Sequence, residues 1–152
     1  MKNLKFDDGY QSFTINGDKN RVIRFNPGDV NIVQRSHDAL RNIHEASKGL
    51  KDIKINPDGE VDGAGSDEEL AAAAETLKQV DDVIRENVNL IFNSDVYDVV
   101  FNGQSPFCIV GKGTYLFEAF LDSAIGFVEA ASKEAAEASR ERIGKYTAGY
   151  SK

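Results

Sequence analysis

The stretch SDEELAAAAETLKQVDDVIRENVNLIF, residues 66–92, sets the fold class. Ser66 followed three residues later by Glu69 is a capping box: the hydroxyl accepts an orphan N–H of the first turn and the carboxylate returns to the cap. Behind it, Leu70, Ala73, Ala74, Leu77, Val80, Ile84, Val88, Ile91 and Phe92 recur at steps of three and four, one continuous helical stripe. The spacing predicts a helix over 67–92, roughly 39 Å long at 1.5 Å per residue. Val83 and Leu90 fall on its other side, where a partner could reach them.

Upstream, Gln11 to Ile15 and Arg21 to Phe25 alternate in the manner of strands around Asn16-Gly17. Both turn residues tolerate positive φ, so a β-hairpin over 11–25 is expected. Asn26-Pro27-Gly28-Asp29 breaks the second strand, and Val30, Val33, His37, Leu40 and Ile43 then suggest a helix over 29–47. Between the two long helices, Asn56-Pro57-Asp58-Gly59 and Gly63-Ala64-Gly65 read as an acidic, exposed loop over 51–66.

Downstream, Asn93-Ser94-Asp95 should stop the long helix and cap a short one over 95–101. Ser105 to Gly113 reads as a turn-rich connection. From Thr114 onward, Leu116, Phe117, Phe120, Leu121, Ala124, Phe127, Val128 and Ala131 cover nearly half a helical circumference, wider than one neighbour needs. That pattern predicts a helix over 114–142 and a flexible tail over 143–152. The expected fold is mainly α within an α+β class: an N-terminal β-hairpin and three to four helices in a small bundle, one domain over residues 1–142. Phe120 is expected in the core, and Phe127, at the stripe's margin, at an interface.

The chain has 152 residues, 41% apolar and 28% charged, with 18 basic and 25 acidic side chains for a net charge of −7. Such a balance opposes binding to nucleic acid, which relies on Lys and Arg to neutralise phosphates. The acidity is concentrated in residues 51–95, which hold 12 acidic and 4 basic side chains. Cys108 is the sole cysteine, so no intrachain disulfide is available. With no signal-peptide pattern and no apolar run of 18 residues, the expectation is a soluble protein with no membrane role.

No catalytic or cofactor motif withstands its own chemistry. Gly111-Lys112-Gly113-Thr114 lacks the glycine a phosphate loop requires five residues earlier, since position 106 is Pro. Were Gly59 the sixth position of a calcium loop, Lys54 and Gly65 would take the first and twelfth, where carboxylates belong. His37 and His44 are seven apart and lack the third ligand that zinc needs. Cys108 sits among Phe107, Ile109 and Val110, apolar company that does not activate a thiol. Asp81-Asp82 and Asp67-Glu68-Glu69 suit a helix surface and a helix start. We therefore expect no enzyme, no metal and no cofactor.

In its order of parts the chain resembles the small tail assembly chaperones of long-tailed bacteriophages. The likeness spans about residues 13–130: the hairpin ending Ile23 to Asp29, a first helix, an acidic helix ending Asn89-Leu90-Ile91-Phe92, a Tyr97 to Phe101 turn helix, Asn102-Gly103 to Pro106-Phe107, and Leu116 to Leu121. The resemblance implies a non-enzymatic protein that coats the apolar tape measure protein and helps recruit tail tube subunits. It would work in the host cytoplasm, be absent from the mature virion and form a homo-oligomer. The partner surface expected on this reading comprises Val83, Leu90, Leu116, Phe117 and Phe127. A different binding class, a small phage or mobile-element protein that inhibits a host factor through its acidic surface, is also consistent with the charge.

Because Lys54 and Gly65 occupy the positions calcium needs most, millimolar calcium should leave the melting midpoint unchanged. A rise of several degrees in a thermal scan, as linkage requires for a ligand of the folded state, contradicts the solvated-loop reading.

Overall fold

Asn16 and Gly17 both take positive φ, 53° and 73°, and turn strand β1 (Gln11–Ile15) back onto strand β2 (Asp18–Phe25). The loop is thus just those two residues, the mirror-image turn that suits the natural twist of a hairpin. A register shift between Thr14 and Ile15 bulges β2 around residues 19–21. Period-two alternation then sends Phe13 and Ile15 of β1, with Ile23 and Phe25 of β2, to the side facing the core.

In this computed structural model, which describes residues 1–52, 54–55, 61–62 and 67–150, the hairpin leads into a mainly helical body. Helix α1 (Ile32–Ser47) ends in a 3-10 turn (Lys48–Asp52). Two-residue strands β3 (Lys54–Ile55) and β4 (Val61–Asp62) pair antiparallel within the segment expected to be loop. Helix α2 (Asp67–Phe92) has the expected bounds and begins on Asp67, Glu68 and Glu69, whose charges suit the positive end of the helix dipole. Ser66 lies outside the described residues. Helix α3 (Tyr97–Phe101), strands β5 (Ile109–Val110) and β6 (Thr114–Tyr115), and helix α4 (Leu116–Tyr150) complete the chain.

Several details depart from sequence expectation for physical reasons. Helix α1 starts at Ile32 rather than at 29, because Asn26 to Asp29 closes as a turn on itself, with the Asp29 N–H donating to the Asn26 carbonyl at 3.2 Å. Its buried face is Ile32, Ser36, Ala39 and Ile43, a rotation away from Val30 and Leu40, which are exposed. The small Ser36 and Ala39 let α1 sit between α2 and α4, and the Ser36 hydroxyl satisfies itself on the Ile32 carbonyl at 2.7 Å.

The short helix begins at Tyr97, not 95, and its cap is not Asn93-Ser94-Asp95. Asn89 of α2 supplies it, its Oδ1 accepting the N–H groups of Val96 at 2.8 Å and Tyr97 at 2.9 Å. Thr114 and Tyr115 belong to a hairpin with Ile109 and Val110, so the last helix begins at Leu116 instead of 114. It continues to Tyr150, through most of the segment expected to be a flexible tail and past the predicted end at 142.

The core joins Ile32, Ala39 and Ile43 of α1 to Val80, Ile84, Val88 and Ile91 of α2 and to Phe117, Leu121 and Val128 of α4. Phe101 closes one end and Phe25 the other, the latter with its ring 4.9 Å from that of Phe92. A polar seam between α1 and α2 is satisfied: buried Asn87 donates to the Val83 carbonyl at 2.8 Å and accepts from Asn42 at 3.0 Å.

Two arginines fasten the helix ends. Arg35 of α1 donates to the Leu90 and Ile91 carbonyls at the end of α2, at 3.1 to 3.2 Å, and pairs with Asp29 at 2.8 Å. Arg21, beside the β2 bulge, donates to the Val99 and Val100 carbonyls of α3 at 3.1 and 2.6 Å.

The hydrogen bond from Arg35, followed by that from the Asn31 N–H, holds the Asp29 carboxyl below the usual carboxylate range. A group depressed in the folded state stabilises it above the unfolded pKa, about 3.9, and loses that contribution as pH falls through the folded value. Asp29→Asn should therefore lower the melting midpoint at pH 7. The difference from wild type should shrink below about pH 4. Thermal scans from pH 7 to pH 2.5 check this, and a difference that stays constant throughout contradicts it.

Candidate partner-binding site

The hairpin is anchored to α3 through Arg21, and α4 is packed on α1 through its other face. Between hairpin and α4 this leaves an open groove of about 530 Å³. Phe13, Ile15 and Ile23 form one wall, Leu116, Ala119, Phe120 and Phe127 the other, and Phe92, Val100 and Phe101 the floor. Volume and apolar lining fall in the range of ordinary ligand pockets.

Aromatic rings give the groove its shape. Phe13 meets Phe25 at 4.8 Å between centroids and Phe127 edge-on at 5.1 Å, while Phe120 meets Phe101 edge-on at 5.8 Å. Phe13 and Phe127 thus bridge hairpin and α4 at one end, and Leu116 and Gln104 mark the other. No carboxylate lines the groove among the described residues. Its single cation, Arg21, has its guanidinium committed to backbone carbonyls. Such a lining selects an apolar occupant with few polar groups to satisfy.

The five residues expected at a partner surface fall in three places. Leu116 and Phe127 line the groove, with Phe127 47% exposed. Val83 and Leu90 line a separate open concavity of about 630 Å³ over α1 and α2, shared with Asn42, Asn87 and Asp95, which is too polar to continue the apolar surface. Phe117 corrects the expectation: it is 5% exposed, turned into the core between α1 and α4, and touches Phe107 and Tyr115. Phe120, expected in the core, is partly buried and faces the groove.

The hairpin's contribution was missed from sequence, although the alternation of Phe13 with Ile15 and Ile23 with Phe25 already placed four large side chains on one face. Of the other residues weighed, half-exposed His37 sits 3.2 Å from Glu129 of α4, and no group of three or more potential metal ligands occurs among the described residues. Asp81 accepts a hydrogen bond from the Tyr97 hydroxyl, beneath Arg85, whose guanidinium lies 3.9 Å from the ring centroid. Burial and then that bond push the Tyr97 phenol well above its ordinary pKa, so it remains a neutral donor joining α2 to α3. No helix of the described residues is long and apolar enough to cross a membrane. Comparison with protein-family models, with known proteins and with solved structures gives no significant match.

Core and groove positions separate by mutation. Phe117→Ala should cost about 3 to 5 kcal/mol of unfolding free energy. Phe127→Ala, at a half-exposed ring, should cost less, about 1 to 3 kcal/mol from its buried half and its two ring pairs. Urea titrations of the two variants decide this, and equal losses contradict the assignment.

Proposed function

We propose that this chain is a tail assembly chaperone of a long-tailed bacteriophage, acting by binding and without catalysis. It holds apolar helical segments of the tape measure protein in solution and helps recruit tail tube subunits. The observation that carries the reading is the solvent-open aromatic groove between hairpin and α4. An amphipathic helix can lay its apolar seam into such a groove, with anchors at helical spacing. The tape measure protein implied by the family resemblance is a long helical chain with such a seam. The net charge of −7 supports the same role, since it opposes aggregation of a protein that carries exposed apolar surface. The work would take place in the host cytoplasm, before the virion is complete.

Co-expression with the tape measure and tail tube proteins encoded in the same genome tests the proposal. The wild-type chain should co-purify with the tape measure protein and keep it soluble. Phe127→Asp, which places a carboxylate in the groove at a half-exposed position, should weaken that binding at least tenfold while the chain stays folded, its melting midpoint lowered by the lost Phe13 and Phe25 ring contacts. Failure of wild type to bind either tail protein overturns the reading.

A further inference from the structure

The hairpin forms one whole wall of the groove, yet few interactions hold that wall in place. Its two strands pair with each other and, among the described residues, with no further strand. Full burial is confined to the base, where Ile23 and Phe25 enter the core, while Asn16, Gly17, Lys19 and Asn20 at the tip are exposed. A Cβ added at Gly17 would meet nothing within 4 Å, so the turn stands clear of the body.

Between base and tip lies a single polar fastening. Among the described residues, no backbone hydrogen bond joins residues 11–25 to another element. Arg21 alone bonds outward through its side chain, to the Val99 carbonyl at 3.1 Å and the Val100 carbonyl at 2.6 Å. It adjoins the bulge created by the register shift between Thr14 and Ile15. A bulge interrupts the ladder and bends the strand, so the hairpin pairs least regularly at the point where it is latched.

Two apolar faces oppose each other across the gap: Phe13 and Ile15 on the hairpin, Leu116, Phe120 and Phe127 on α4. At one end they already meet, through Phe13 and Phe127 with ring centroids 5.1 Å apart. Bringing the rest together would remove apolar surface from water, which is favourable. What opposes it is the pair of guanidinium bonds to α3, since among the described residues no other charged group lines the gap.

We infer that the outer half of the hairpin is a lid, hinged at its buried base and propped open by Arg21. Released from α3, it folds onto α4 and covers Phe13, Ile15, Phe120 and Phe127. The lid gives the groove a regulation, and in that role it rests on the groove being the client site proposed above. A client enters only the propped state and so draws the population toward it.

Spin labels at two exposed positions, Lys19→Cys on the tip and Asp122→Cys on α4, in a Cys108→Ser background, read the lid with no client present. With Arg21 intact the distance should be that of the open structure. Arg21→Ala should shorten it. Arg21→Lys, which keeps the charge but loses the fork that spans two carbonyls, should give a mixture of both distances. Ala119→Glu added to Arg21→Ala should restore the long distance, because a closed lid would bury that carboxylate without a partner. An unchanged or longer distance in a folded Arg21→Ala chain overturns the inference, since the arginine then merely fastens the hairpin. If Arg21→Ala does not fold, the distance in Arg21→Lys decides in the same way. Client binding is read separately. With the open state held to about one copy in ten, Arg21→Ala should bind the tape measure protein about tenfold more weakly than wild type. Equal binding by the two chains overturns the regulation, whereas a wild type that binds no client removes the client reading and leaves the lid standing.

Discussion

Everything in this fold turns on how the carbonyl ends of α2 and α3 are satisfied. A helix finishes with carbonyls that have no partner inside it, and an end left bare in a packed body is costly. Here other elements supply the donors: Arg35 reaches from α1 to Leu90 and Ile91, and Arg21 reaches from the hairpin to Val99 and Val100. A guanidinium suits the task, because it presents several donors in a rigid plane and brings positive charge to the negative end of the helix dipole. Each arginine fixes a relationship between elements distant in sequence. Arg35 clamps α1 along α2, with Asp29 holding the guanidinium in place, and Arg21 ties the hairpin to α3.

The groove follows from the second of these ties. If the hairpin lay flat on α4, Phe13, Ile15 and Phe127 would close over one another and the surface would be ordinary core. Because β2 is held at α3, the hairpin meets α4 mainly through Phe13 and Phe127, and the space toward Leu116 stays open. The opening lies among side chains that burial would stabilise, the kind of exposed apolar surface that the proposed partner site requires. The core around Ile84, Val88 and Ile91 is fully covered, so the exposed rings do not reflect a shortage of packing elsewhere.

The sequence made α2 and the hairpin legible because each states its own period. Its reading of α1 was out by a rotation, because Val30 and Leu40 outweigh Ser36 and Ala39 in hydrophobicity. Close approach to two neighbouring helices rewards small residues instead. The Asn89 cap and both arginine clamps carry no local signal at all, since their partners are backbone atoms 7 to 79 residues away. The wide stripe on α4 announced more than one neighbour but not which arc each would take. Phe117, expected at a partner surface, is therefore core, Phe120, expected in the core, packs against it only partly buried, and Phe127, at the margin, is 47% exposed.

The reach of the arginine clamps also bears on synthesis. Arg21 must wait for a carbonyl 78 residues further along, and Arg35 for one 56 residues on. At about 5 to 20 residues per second, a ribosome takes roughly 4 to 16 seconds to deliver the acceptor for Arg21. Throughout that interval the hairpin exists without its anchor, and an isolated two-stranded hairpin is marginal in water. The emerging chain thus displays Phe13, Ile23 and Phe25 to solvent until α3 arrives, and the first third of the protein acquires its shape only after the second has been made.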